Sequence, residues 1–222
     1  MNMTQTTVGD IAATVPGATA VFRRHKIDFC CGGNKTLAEA CAKKGTDPSS
    51  IAGELSALAV ERDPVTAWTG RPLGDLIDHI LEAYHDKHRH DLPELIRLAS
   101  RVEHVHADHP ACPRGLAAAL KETLGELEMH MRKEEEILFP MIRRGMGRGA
   151  GGPISVMNSE HDEHGERLRR LEKLAHDFEL PPGACNTWRA TYAGVRALVD
   201  DVMEHIHLEN NVLFPRALAG EK

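Results

Sequence analysis

From Leu73 onward apolar residues recur at three- and four-residue steps: Leu73, Ile77, Ile80, Tyr84, Leu92, Leu95, Ala99 and Val102 form one stripe, as on an amphipathic helix. The stripe predicts a first long helix from about Leu73 to Ala107, with Pro93 as a candidate kink. Asp108-His109-Pro110-Ala111-Cys112-Pro113 breaks it, and a second helix is expected from about Arg114 to Arg144. After the glycine-rich stretch Gly145 to Pro153, the pattern gives a third helix over Ile154 to Phe178. A Leu180-Pro181-Pro182-Gly183 turn and a fourth helix from Asn186 to about Leu218 follow. Short turns make successive helices antiparallel, so the expected fold is all-α, an up-down four-helix bundle over residues 73–222.

Residues 1–60 read as a small helical N-terminal domain. Helices are expected over Val8 to Val15 and Ala18 to His25, with Pro16 placed for a helix start. The run Asp28-Phe29-Cys30-Cys31-Gly32-Gly33-Asn34 stops the helix, because two glycines free the backbone. Thr36 and Glu39 form a capping box for the next helix, and Asp47-Pro48 opens another, through about Val60. Residues 61–72, with two prolines and a glycine, are read as a linker.

The bundle sequence contains one unit twice. Residues 130–140, HMRKEEEILFP, align with residues 205–215, HIHLENNVLFP, so His130 and Glu134 stand where His205 and Glu209 stand. Residues 85–88, HDKH, and residues 161–164, HDEH, precede these elements by nearly equal intervals. Positions four apart share a helix face, which sets each imidazole beside a carboxylate. Counted from the two turns at ~1.5 Å per residue, His85, His130, His161 and His205 reach one layer to within roughly 8 Å.

That layer would hold His85, His130, Glu134, His161, His205 and Glu209, too many donors for one tetrahedral zinc. Two six-coordinate ions fit better, with the repeat-related Glu134 and Glu209 as bridges. Mixed imidazole and carboxylate donors favour iron over manganese. Ferritin-like sites use Glu-x-x-His pairs instead, so the spacing points away from that class. A lone His-x-x-x-Glu on a charged helix is ordinarily a solvated surface pair. Two copies in one register, each preceded by a further histidine, argue against that reading here.

Of the remaining histidines, His106 is in phase with His85 but ~30 Å away along a continuous helix, and is read as a core or access-path residue. His88 and His164 are candidates for supporting the ligands. Glu126 and Asp201, each four residues before a ligand histidine, are candidate acceptors for its far ring nitrogen. His25, His79, His90, His104, His109, His176 and His207 are expected at the surface.

Composition narrows the classes. Aromatics are 4%, and the formal charge of −6 offers no basic stripe for nucleic acid. No stretch of ~18 consecutive apolar residues suggests a membrane span, and a cytoplasmic protein is expected. Five cysteines at irregular spacing make a poor disulfide framework. Adjacent Cys30 and Cys31 do not readily bridge each other, since neighbouring Cα atoms are ~3.8 Å apart. They are either buried structural thiols or a reactive pair that handles iron, nitric oxide or electrons.

The motifs DFCCGG, YHDKHR, HMRKEEEILFPMI, GPISVMNSEHDEHGE and HIHLENNVLFPRAL closely resemble the iron-sulfur cluster repair di-iron proteins of the ScdA type, over nearly the whole chain. The resemblance implies a cysteine-bearing N-terminal domain joined to a hemerythrin-like bundle with an oxo-bridged, non-haem di-iron centre. It implies repair of iron-sulfur clusters damaged by nitrosative and oxidative stress, with nitric oxide reacting at the iron. By motif, the ligands fall on His85, His130, Glu134, His161, His205 and Glu209, and the cysteine pair on Cys30 and Cys31. Three mechanisms stay open: delivery of a labile iron, reduction of nitric oxide to nitrous oxide, and a binding or sensing module for dioxygen or nitric oxide. Expected partners are damaged iron-sulfur proteins and a diatomic gas, with a homodimer as one possible assembly.

Overall fold

The computed structural model describes residues 3–15, 17–58, 68 and 70–221. Among these the fold is all-α, with only an isolated antiparallel bridge between Thr7 and Thr36. Pro16 and most of the linker read over residues 61–72 lie outside the described residues. No described helix is long and apolar enough to cross a membrane. The chain divides into two compact units that cut across chain order. One comprises Met1–Asp78, Pro140–Asn158 and Met203–Lys222; the other comprises His79–Phe139 and Ser159–Val202.

In the first unit, helices α1 (Val8–Thr14), α2 (Ala18–Arg24), α3 (Leu37–Lys44) and α4 (Pro48–Leu58) match the expected series. The Thr36 hydroxyl accepts from Glu39 N–H and Glu39 accepts from Thr36 N–H, completing the capping box. Capping of this kind stabilises a helix by ~1 kcal/mol. Val8, Ile11, Phe22, Phe29, Leu37, Ile51 and Leu55 are buried together as its core. The same unit contains α5 (Leu73–Ile80), the C-terminal ends of two long helices, and the start of α9 (Gly151–Leu174).

In the second unit, α6 (Asp86–Val105) runs through Pro93, which faces solvent, and packs along α7 (Leu116–Lys133). Leu92, Leu95, Ala99 and Val102 are buried, as are Leu116, Leu120 and Leu127. Glu103 reaches across the turn and accepts from Ala117 N–H at 2.8 Å, capping the start of α7. Helix α9 stops at Leu174, short of the expected Phe178. His176, Asp177 and Phe178 instead have left-handed φ of 51°, 53° and 66°. Such values are uncommon outside glycine. Here the Phe178 ring is held against Tyr192 and under the Arg196 guanidinium.

Among the described residues the α-helices widen into π segments at three places, and all three carry candidate ligands. The helix continues from α5 through a π segment, Leu81–His85, into α6. From α7 it continues through Glu134–Leu138 into α8 (Phe139–Arg143), and from α10 (Asn186–Leu208) through Glu209–Leu213 into α11 (Phe214–Ala219). Asp86, Phe139 and Phe214 N–H groups bond to the carbonyls of Leu81, Glu134 and Glu209, each five residues back. In the two repeat copies the widened turn immediately precedes Pro140 and Pro215. A proline ring there would strike a carbonyl of a regular α-turn, and the wider turn relieves that contact. The interruption expected at Pro93 lies instead at Leu81–His85, which ends on a candidate ligand.

Candidate metal centre

In the second unit, four candidate ligands meet in the core. His85 ends the first π segment, His130 lies on α7, Glu134 opens the second π segment, and His161 lies on α9. All four are at most 2% exposed. His85 Nε2 lies 3.4 Å from Glu134 Oε2, and His130 Nε2 lies 3.5 Å from Glu134 Oε1 and 3.0 Å from His161 Nε2. The ligand atoms of His130, Glu134 and His161 all lie within 4.8 Å of one another, a group that could hold a metal ion.

The far ring nitrogens have carboxylate partners. His85 Nδ1 donates to Glu135 Oε1 at 2.7 Å, and His130 Nδ1 donates to Glu160 Oε2 at 2.9 Å. Burial pushes the Glu135 carboxyl up, but hydrogen bonds from Arg89 and His85 outweigh it and leave its pKa lowered. Arg89 itself is held between Glu135 and Glu128 at 2.8 Å each, and Lys133 reaches Glu160. With Nδ1 protonated, the Nε2 atom of a neutral imidazole carries a lone pair. The Nε2 atoms of His85 and His130 face the Glu134 oxygens, and His130 Nε2 also faces His161 Nε2, in the buried core. Imidazole and carboxylate donor atoms gathered at this spacing are what a bound cation uses. Bonds of ~2.1 Å at right angles would set neighbouring donors ~3.0 Å apart, the spacing found between His130 and His161. The donor set fits a hard or borderline transition metal.

In the first unit, His205 and Glu209 form the other i, i+4 pair, with Nε2 3.2 Å from Oε1, His205 1% and Glu209 0% exposed. Glu209 opens the third π segment, and the two residues after it hold the cysteine loop. Asn210 Nδ2 donates to the Cys30 carbonyl and Asn211 Nδ2 to the Phe29 carbonyl, both at 3.2 Å. Asn211 Nδ2 also donates to His207 Nδ1 at 2.9 Å. A Cβ on Gly9 or on Gly33 would come within 2.4 Å of Asn211 Oδ1, so both sites need glycine. Within the loop, Asp28 Oδ1 accepts from the N–H groups of Cys31 and Gly32, and the Cys30 and Cys31 sulfurs are 3.7 Å apart. The Cys31 thiol beside it, burial and the Asp28 charge all push the Cys30 thiol up.

Some expected roles move. Glu126 pairs with Arg167 and Asp201 with Lys87, while Glu135 and Glu160 take the far ring nitrogens of His85 and His130. An acceptor one turn back on the same helix is out of reach, because the far nitrogen of an inward-facing imidazole points to the next helix. His207 is 2% exposed, not at the surface. Phe29 packs edge-on to it at 5.5 Å, and desolvation lowers its pKa to about 4. The signal lay in the difference between the repeats: Arg132, Lys133 and Glu136 are exposed, whereas their counterparts His207, Leu208 and Asn211 lie beneath residues 28–33 or pack inward. His106, half-buried, bonds Cys185 Sγ at 3.2 Å and lies against Trp188. His88 and His164 are buried, the latter against the His130 ring.

A helical core with paired His-x-x-x-Glu elements defines a hemerythrin-type cation-binding protein. Residues 76–217 match the family described as Hemerythrin HHE cation binding domain, and residues 4–59 match ScdA_N, described as a domain of unknown function. The chain is 52% identical over 221 residues, covering 100% of both chains, to the iron-sulfur cluster repair protein YtfE of Yersinia pseudotuberculosis serotypes O:1b and O:3. The YtfE protein of Yersinia pestis strain Pestoides F is 51% identical over the same span. The chain belongs to this family of two-domain, hemerythrin-containing proteins.

Proposed function

We propose that this protein repairs iron-sulfur clusters damaged by nitrosative and oxidative stress, drawing on an iron pair held in the bundle. Supporting the repair role is the name shared by full-length relatives at 52% identity. Supporting the iron pair is the convergence of imidazole lone pairs on buried Glu134, with Nδ1 of His85 and His130 tied to carboxylates. In this reading His85, His130, His161 and His205 are divided between the two irons, and the repeat-related Glu134 and Glu209 bridge them. Their equivalent places in the sequence repeat support their role as bridges. The oxo bridge, a cytoplasmic location and nitric oxide or dioxygen as ligand belong to the same proposal and rest on the family resemblance.

When bound, the iron pair supplies either a labile ion or a redox centre. The chain's own residues do the rest. Glu135 and Glu160 hold protons on Nδ1 of His85 and His130, which orients both rings and raises the basicity of Nε2. Damaged iron-sulfur proteins are the clients, and delivery of iron is the favoured route. The domain boundaries 1–60, 61–72 and 73–222 are part of this proposal, supported by the two separate family matches. The test is to mix the iron-loaded protein, anaerobically and without nitric oxide, with an apo iron-sulfur protein. Delivery predicts restored client activity and matching loss of iron from this protein. Client activity that returns only with nitric oxide consumption would contradict it.

A further inference from the structure

We infer that Asp28, Cys30 and Cys31 form a third metal site, separate from the bundle donors, for a single thiophilic divalent ion. These three side chains offer ligand atoms within 4.8 Å of one another in one short loop. Tetrahedral geometry with sulfur bonds of ~2.3 Å and oxygen bonds of ~2.0 Å sets two sulfurs ~3.8 Å apart and a sulfur and an oxygen ~3.5 Å apart. The Cys30 and Cys31 sulfurs are 3.7 Å apart, and Cys30 Sγ is 3.5 Å from Asp28 Oδ1. The spacing is too long for a disulfide and matches one shared ion on both edges.

The loop is built to keep that spacing. Asp28 Oδ1 gathers the N–H groups of Cys31 and Gly32 at 3.0 Å, which folds the chain back over the carboxylate. A Cβ at Gly32 would sit 2.8 Å from the Asp28 carbonyl, so the fold-back requires glycine there. Asn210 and Asn211 fix the carbonyls on the other side of the loop. On these two edges the donors already have the separation an ion requires. Binding one M²⁺ releases the two thiol protons and leaves a fourth position for an outside donor, as an ion in transit needs. That the native ion is Fe²⁺ on its way to a client rests on the delivery reading above; the site itself does not.

The test uses the full-length, iron-loaded, reduced protein and Co²⁺ as the probe. We expect about one extra Co²⁺ per chain with thiolate-to-cobalt charge transfer, while the iron content stays unchanged, since bundle donors carry no sulfur. Cys30→Ser with Cys31→Ser should abolish the charge-transfer band. Asp28→Asn keeps Oδ1 for the loop hydrogen bonds but loses the anionic donor, and should weaken binding about tenfold or more. X-ray absorption on the parent, which needs no variant to fold, should find two sulfurs at ~2.3 Å from the cobalt. No sulfur in that shell, or a band that survives the double substitution, overturns the site. Cobalt binding as expected, with iron transfer unaffected by the serine substitutions, leaves the site standing and removes its place in delivery.

Discussion

Asn211 ties the cysteine loop to the helix that carries Glu209, and removing its amide should loosen the loop without emptying the metal centre. Its Nδ2 donates at 3.2 Å to the Phe29 carbonyl and at 2.9 Å to His207 Nδ1. Each such bond contributes ~1 kcal/mol, and leaving a buried partner unsatisfied costs ~1–3 kcal/mol. Asn211→Ala should therefore raise the free energy of the closed loop by about 2–4 kcal/mol, which multiplies the open fraction about 30- to 1,000-fold. Amide hydrogen exchange reads this directly: protection should fall by that factor at residues 29–33 and stay unchanged in the middle of α7. Asn211→Asp is isosteric but lacks the donor, and should lose as much or more. Parent-like exchange in both variants would refute the clamp. Loss of iron in Asn211→Ala would show that the clamp also shapes the metal centre.

His130→Ala and His205→Ala should deplete iron to a similar degree, whereas His106→Ala, bonded to Cys185 near Trp188, should keep the full complement. Glu135→Gln, which weakens the hold on His85 Nδ1, should lower iron affinity about 10- to 100-fold in a chelator competition. An unchanged affinity would mean that Arg89 and Glu135 serve the surface alone. Gly33→Ala places a Cβ 2.4 Å from Asn211 Oδ1 and 2.9 Å from the Phe29 carbonyl. It should cost ~1–3 kcal/mol in stability, measured by denaturant unfolding.

The repeat singled out six candidate ligand positions, because a histidine and a glutamate four apart, found twice in one register, leave a periodic trace in the chain. Helix positions were legible for the same reason, and the Thr36 and Glu39 capping box placed α3 to the residue. The π segments were not. Hydrophobic periodicity tolerates one extra residue, and nothing in side-chain propensity distinguishes a bond to the fifth preceding carbonyl from one to the fourth. The shared Leu-Phe-Pro after each glutamate was the only hint, and only once the proline's missing N–H is considered. Glu135 and Glu160 were hidden because their partners lie on other helices, a relation that spacing along one helix cannot carry. His207 was misplaced because a polar residue beside a candidate ligand reads as solvent-facing until the Phe29 ring covers it.

The central claim is that buried imidazoles and carboxylates in the bundle hold two irons. Metal quantification on the purified protein, expressed with ample iron, tests it most directly. The account predicts about two irons per chain, with an oxo-to-iron charge-transfer band in the near-ultraviolet after oxidation. A single zinc per chain, or a single iron that survives both His130→Ala and His205→Ala, would contradict it.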